Sequence, residues 1–419
     1  MLLFIENTPR AYAWGSTDAL AEMLGTSPTG EPQAELWLGT HPGSPAHVAK
    51  ATPVEHTLID LVRSDPDRYG VDGGPLPFLL KVLAIGAPLS LQVHPDRDQA
   101  AAGYAAEEAA GIPRDARERN YGDPNHKPEL LVALSEVTAL SGFRPLGEAR
   151  RDLLILATCA RAGGAADGAL ALETAAARLT TTAPEAARRE FLNWAFGGDP
   201  AVAAALAALP VAVAARAESG EADPARLAAL DRLVSTHPGD PGVLVSILLH
   251  HVRLEPGDAL YLEAKQLHAY LGGIAVEVMA ASDNVLRAGL TEKHVDIAEL
   301  CRVIDASEIT EPRFPGETLR PGLVAWRPEI PDFQLMRARL CDPDERGSGS
   351  FTPDTAPEIE VAASHPIVLV VTGGRVRVER LATEFAEVAT ARRGQSLYVS
   401  AGDPIRLTGS GEVFLATVG

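Results

Sequence analysis

Between residues 268 and 293 the chain sets His268, Glu277, the pair Asp283 and Asn284, Arg287 and Lys293 within one short stretch. They offer an imidazole able to ligate a metal, a carboxylate able to move a proton, and two cations able to meet an anion. The intervening Val, Ala and Met residues would pack without so many polar neighbours. Two earlier segments add donors. In Gln92-Val93-His94 an amide and an imidazole stand two apart in a strand-like run, so both side chains share a face, and Pro95 ends the run. Taken alone, that pair reads more readily as a hydrogen-bonding turn, because Gln is an uncommon zinc ligand. Glu129 follows Pro128 and opens an apolar run to Leu134. A carboxylate at the edge of such a strand needs a partner, either a metal or Lys127. With His268 the set becomes two imidazoles, one carboxylate and one amide, which suits a four-ligand zinc site, or five ligands with water. Two His and one carboxylate also make the facial triad of non-haem iron oxygenases, so iron remains an alternative at this point.

Glu277 is expected on the strand face opposite Ile274, Val276 and Val278. Lining a small barrel beside a metal, it would have its pKa moved by burial and by charge, as a general base requires. A salt bridge to Arg287 or Lys293 is the plainer role for the same carboxylate.

The elements that must hold these residues fall into three textures. Residues 1–145 carry short strand-like runs cut by Pro and Gly, the punctuation of an antiparallel β-domain. Residues 146–240 are Ala-rich and helical. Thr182, Pro184 and Glu185 have capping-box spacing, Asp199-Pro200 and Asp223-Pro224 mark two further helix starts, and Pro210 is expected to break or kink its helix. Residues 241–318 return to β texture, and residues 319–419 form a third, β-rich region. The expectation is therefore a mainly β chain: a first domain split by a helical insertion, then a second β-domain. A weak internal repeat supports the pairing, since Gly257 to Leu262 resembles Gly394 to Val399.

The segments Gln92 to Asp96, Tyr121 to Glu129 and His268 to Lys293 together closely resemble the type I mannose-6-phosphate isomerases, zinc enzymes of the cupin class. Tyr121, Asp123, Asn125, His126, Lys127, Pro128 and Glu129 meet every fixed position of one family motif, and Glu292 stands where the family usually has Pro. The resemblance implies two cupin (jelly-roll) β-barrel domains. In the cupin pattern a metal His lies eleven residues after the turn Gly. His268 occupies that offset from Gly257, and Ile405 occupies it from Gly394, so the second barrel is expected to lack metal. The resemblance makes Gln92, His94, Glu129 and His268 the ligands of one zinc per chain, and Arg287 the counterpart of the family's catalytic arginine. It implies interconversion of mannose 6-phosphate and fructose 6-phosphate through a cis-enediol(ate), supplying mannose phosphates for GDP-mannose and glycan synthesis or feeding mannose to glycolysis. Among the expected substrate contacts, Ser90 and Lys127 are expected to meet the phosphate, with Arg97 behind them, and Tyr270, Asp283, Asn284 and Lys293 to meet or support the sugar hydroxyls, whereas Trp14 and Trp37 are expected to pack the barrel. The alternatives are a cupin metal oxygenase, separable by oxygen uptake, and a non-catalytic sugar-binding cupin, against which the presence of both Glu277 and Arg287 argues.

Composition sets outer limits. The 419 residues are 46% hydrophobic but only 5% aromatic, long enough for two or three domains. A formal net charge of −19 argues against nucleic acid, which requires a positive surface, and leaves a small anionic substrate open. Cys159, Cys301 and Cys341 are few and far apart, as suits reduced thiols. No apolar run is expected to approach the ~20 residues of a membrane span, and the start, Met1 to Ile5 followed by Glu6, is short for a signal-peptide core. A cytoplasmic monomer is the expectation.

Overall fold

The computed structural model describes residues 1–49, 56–220, 223–341, 354–381 and 386–419. Among them are eleven helices and two antiparallel sheets, one of nine strands and one of ten. The nine-stranded sheet is built around one long strand, His268–Ala280. Its first half pairs with Val137–Phe143 and, through His268, with Gln92; its second half pairs with Phe78–Ile85 and Glu129–Ala133. One strand thus turns the sheet's corner and carries polar groups at both ends.

The corner has a local cause. Between Tyr270 and Gly272 the register against Val137–Phe143 slips, leaving an extra residue on the long strand. Such a bulge bends a strand and reverses which alternate residues face inward. Gly273, at φ +111°, completes the bend, and a Cβ there would lie 2.3 Å from the Glu136 carbonyl oxygen. Before the bulge the inward positions are His268 and Tyr270, while Ala269 and Leu271 pack under the helices. After it Ala275 faces the interior with Tyr270, and Val276 and Val278 join the core between the two sheets. Glu277 therefore lies opposite Val276 and Val278, as the strand alternation predicts. It also shares the face of Tyr270, which alternation alone would deny.

Helices Leu146–Ala162, Ala166–Arg178, Pro184–Phe196, Pro200–Ser219 and Pro224–Thr236 cover the outer face of this sheet in one core with Leu91, Val93, Leu140 and Leu286. Asp199 and Asp223 cap their helices, accepting from Ala201 N and from Ala225 and Arg226 N. The capping box at Thr182 does not form: Pro184 opens the helix behind Ala183, without a side-chain cap. Pro210 does not end its helix, which runs on to Ser219 with Leu206, Leu209 and Val213 buried on both sides of it. At 20 residues this helix also corrects the expectation about apolar runs, since by length and composition it reaches membrane-span dimensions. It packs against the helices Leu146–Ala162 and Ala166–Arg178, and it carries Arg216 and Glu218.

The ten-stranded sheet takes eight strands between Glu317 and Thr417 together with Leu2–Glu6, which pairs with Ser396–Val399, and His47–Val48. The chain thus begins in the sheet in which it ends. Ile405 is fully buried there among Val361, Val378 and Leu407. A shared core of Leu130, Val132, Val276 and Val278 with Phe333, Leu335, Val368 and Phe414 fastens the two sheets face to face.

Candidate active site

Three strands and one loop bring His94, Glu129 and His268 together, all buried, with ligand atoms within 4.8 Å of one another. His94 follows the short strand Gln92–Val93, Glu129 opens its strand, and His268 opens the long one. His94 Nδ1 donates to the Asn284 carbonyl at 2.7 Å and His268 Nδ1 to the Gln266 carbonyl at 2.9 Å. Each bond fixes the tautomer, leaving Nε2 as a lone pair aimed inward. His94 Nε2 lies 3.2 Å from Glu129 Oε1 but makes no hydrogen bond, and His268 Nε2 is 3.6 Å from Glu129 Oε2. Two lone pairs converging on a buried carboxylate need a cation, so these residues fit a metal ion. Gln92 is the Cα partner of His268 in the sheet and presents its side chain on the same face.

Burial pushes both imidazoles toward the neutral, ligating form, His268 down to about 4. Burial alone would raise Glu129, but the fields of His94 and Lys127 outweigh it and hold that carboxyl well below its usual range. Lys127 Nζ lies 3.3 Å from Glu129 Oε1, close enough to favour its ionised form. Lys127 and a metal are thus compatible partners of one carboxylate.

Glu277 lies nine residues beyond His268 on the same strand. Tyr270 OH donates to its Oε1 at 3.2 Å and Lys81 Nζ approaches its Oε2 at 3.3 Å. Burial, and then the charge of Glu129, push Glu277 up to about 7, with Lys81 pulling the other way. Burial works against the Lys81 charge, yet Glu35, Glu277 and Glu129 together hold its pKa above the usual lysine value. Lys81 is the directly opposed partner of both Glu277 and Trp37, and its ammonium lies 5.1 Å from the Trp37 ring centroid. Trp37 Nε1 in turn donates to Glu35.

Lys81, Glu35 and His41 are the residues that sequence reasoning missed, and Trp37 does more than the packing expected of it. The signal for Lys81 was a lone cation inside the apolar run Phe78–Ile85, which is untenable without a buried partner. The ion pair anticipated for Glu277 is therefore made by Lys81 rather than by Arg287 or Lys293.

The remaining candidates spread around this centre. Arg287 pairs with Gln92 in the sheet, so Arg287, Gln92 and His268 form one row across three strands on one face. At strand spacing this sets Arg287 about 10 Å from the His268 backbone. Burial lowers the pKa of Arg287, and burial plus the Arg287 charge lower that of exposed Lys293, so the two cations are neighbours. Neither has an ion-pair partner among the described residues. Ser90 accepts from Gln92 Nε2 at 3.3 Å. Asp283 is exposed and meets His41 Nε2 at 3.3 Å, and Arg97 points away from this row toward Asp332. Asn284 is fully buried: its Oδ1 accepts from Gly122 N, and its Nδ2 donates to the Asp123 and Asn125 carbonyls. It thereby ties the Tyr121–Glu129 segment to the carbonyl that orients His94.

A buried metal triad beside a perturbed carboxylate, within antiparallel β-sheets, defines a metal-dependent acid–base enzyme. Residues 2–146 match the model for the phosphomannose isomerase type I catalytic domain. The mannose-6-phosphate isomerase of Escherichia coli strain K12 is 41% identical over 308 residues, covering 70% of this chain and 72% of the relative. That of Bos taurus is 30% identical over 418 residues, covering 94% and 92%. A zinc-bound crystal structure of a mannose 6-phosphate isomerase superposes with a TM-score of 0.83 at 29% identity, over 100% of this chain and 99% of that one. The chain belongs to the type I mannose-6-phosphate isomerase family.

Proposed function

We infer that this chain is a zinc-dependent aldose–ketose isomerase interconverting mannose 6-phosphate and fructose 6-phosphate. The observation that carries this reading is the placement of Glu277, poised near neutrality, on the same strand as His268 and beside the strand that Glu129 opens. Gln92, His94, Glu129 and His268 would hold the zinc, which when bound supplies Lewis acidity and a template for the sugar oxygens. Zinc-bound relatives favour zinc over iron for this donor set.

The chain's own residues do the rest. Glu277 takes the proton from C2 of the aldose and returns it to C1, while one hydroxyl proton passes from O2 to O1. Tyr270 and Lys81 hold the carboxylate in place, and the Lys81 charge offsets part of the pKa rise that burial causes. Arg287 stabilises the negative charge of the cis-enediolate. Lys293, beside it and without an ion-pair partner among the described residues, is suited to the phosphate. Ser90 and Lys127 lie close to ligands and would meet hydroxyls, and Asp283 would act at the rim through His41.

The two sheets are read as two cupin barrels. Residues 1–145 and 241–318 would form the catalytic one, 146–240 the helical insertion, and 319–419 a second barrel without metal, with the strand Leu2–Glu6 crossing to it. The fully buried Ile405 supports that assignment. A sugar-phosphate substrate and the free thiols of Cys159 and Cys301 support a cytoplasmic enzyme, read as a monomer. A coupled assay with mannose 6-phosphate tests the function. Activity should vanish on chelation and return with zinc; full activity in metal-free protein would refute it.

A further inference from the structure

We propose that Asp332, at the entry to the C-terminal sheet strand Gln334–Leu340, is a positioning residue that clamps the two segments carrying His94 and Glu129. The proposal rests on the isomerase reading above. Asp332 is buried, with Oδ1 3.3 Å from Arg97 Nη2 and Oδ2 3.0 Å from His126 Nε2, and Arg97 Nη2 lies 2.8 Å from the same His126 nitrogen. Arg97 is three residues after His94, and His126 is three before Glu129 and adjacent to Lys127. The three groups therefore link both ligand-bearing segments to a point outside either.

That point is anchored in the core. Phe333, the next residue, is fully buried in the core shared by the two sheets. A carboxylate in such a place would be expelled unless paired. Here its partners, Arg97 and His126, come from the segments that carry His94 and Glu129. Without Asp332, the backbone from His126 to Glu129 loses its outer tether. Lys127 and Glu129 would then sample a wider range of positions, although Asp332 touches neither.

The test compares Asp332→Asn, which keeps shape and one acceptor, with Asp332→Glu and wild type, all zinc-loaded. Outer partners of metal ligands typically matter by about 10–100-fold. The expected result for Asp332→Asn is a kcat loss of that size, KM within about threefold, and Zn2+ released to a chelator at least about fivefold faster. Asp332→Glu should recover part of both. Unchanged kcat and zinc release, or a rise in KM alone, would overturn the proposal, as would a loss explained entirely by a lower folded fraction. Should Asp332→Asn fail to fold, Arg97→Gln decides, because that side chain is half exposed. A smaller kcat loss with faster zinc release supports the clamp, and wild-type values overturn it. Wild type inactive on mannose 6-phosphate would instead refute the isomerase reading, and the zinc-release arm would still judge Asp332.

Discussion

In the proposed mechanism Glu277 and Arg287 divide the chemistry at the level of single side chains, and each proposed role makes a measurable difference. Glu277→Gln should keep zinc and fold yet lose both isomerisation and exchange of the C2 hydrogen with deuterated solvent; exchange at near wild-type rate would assign the base elsewhere. Because the active form is the carboxylate, kcat/KM should fall as pH drops through its pKa. The value of about 7 applies to the metal-free site, and a bound cation can only lower it, so the acid limb should lie at or below neutrality. Arg287→Ala should cost on the order of 10²–10³ in kcat with KM little changed, and Arg287→Lys should recover only part. A steep rise in KM at constant kcat would mean that the guanidinium grips phosphate. The imidazoles make a third prediction. Two solution-like imidazoles would weaken zinc binding roughly 15-fold between pH 8 and pH 6. Burial keeps His94 and His268 neutral, so competition against a chelator should show little change over that interval.

At the level of elements, the proposed site residues stand out in the sequence because each is an anomaly in its surroundings: a carboxylate behind Pro128, a His closing a turn, a guanidinium after a strand. The Lys81–Glu277 pair was not legible, because its members come from strands joined only by sheet register, nearly two hundred residues apart. The bulge was hidden for a similar reason: alternation read from sequence assumes an unbroken period of two. Yet that irregularity brings Tyr270 and Glu277 to the same face. Gly273→Ala tests it. The positive φ and the close Glu136 carbonyl should make the variant less stable by about 2 kcal/mol or more. Activity should fall beyond that, since straightening the bend separates the two groups. A variant with wild-type melting and kcat would remove the bulge from the account.

For the whole molecule, the division into β, helix and β textures was readable from composition, and the helix starts at Asp199 and Asp223 from their caps. That the first strand belongs to the last sheet was not, because nothing in residues 2–6 distinguishes one partner strand from another. Phe333→Ala, in the core joining the sheets, should cost about 3–5 kcal/mol. It should also weaken zinc retention, whereas an equally destabilising cut in the helical insertion should not; equal retention in both would uncouple the C-terminal sheet from the site. The long strand has a consequence for how this chain can vary. It sets the spacing between His268 and Glu277 as a count of residues, so side chains along it can be exchanged far more freely than its length can change. Losing or gaining one residue between them would turn the Glu277 carboxylate out toward the opposite layer. A library of single-codon insertions and deletions should therefore leave no active clone with a change between His268 and Glu277, while surface turns elsewhere absorb many.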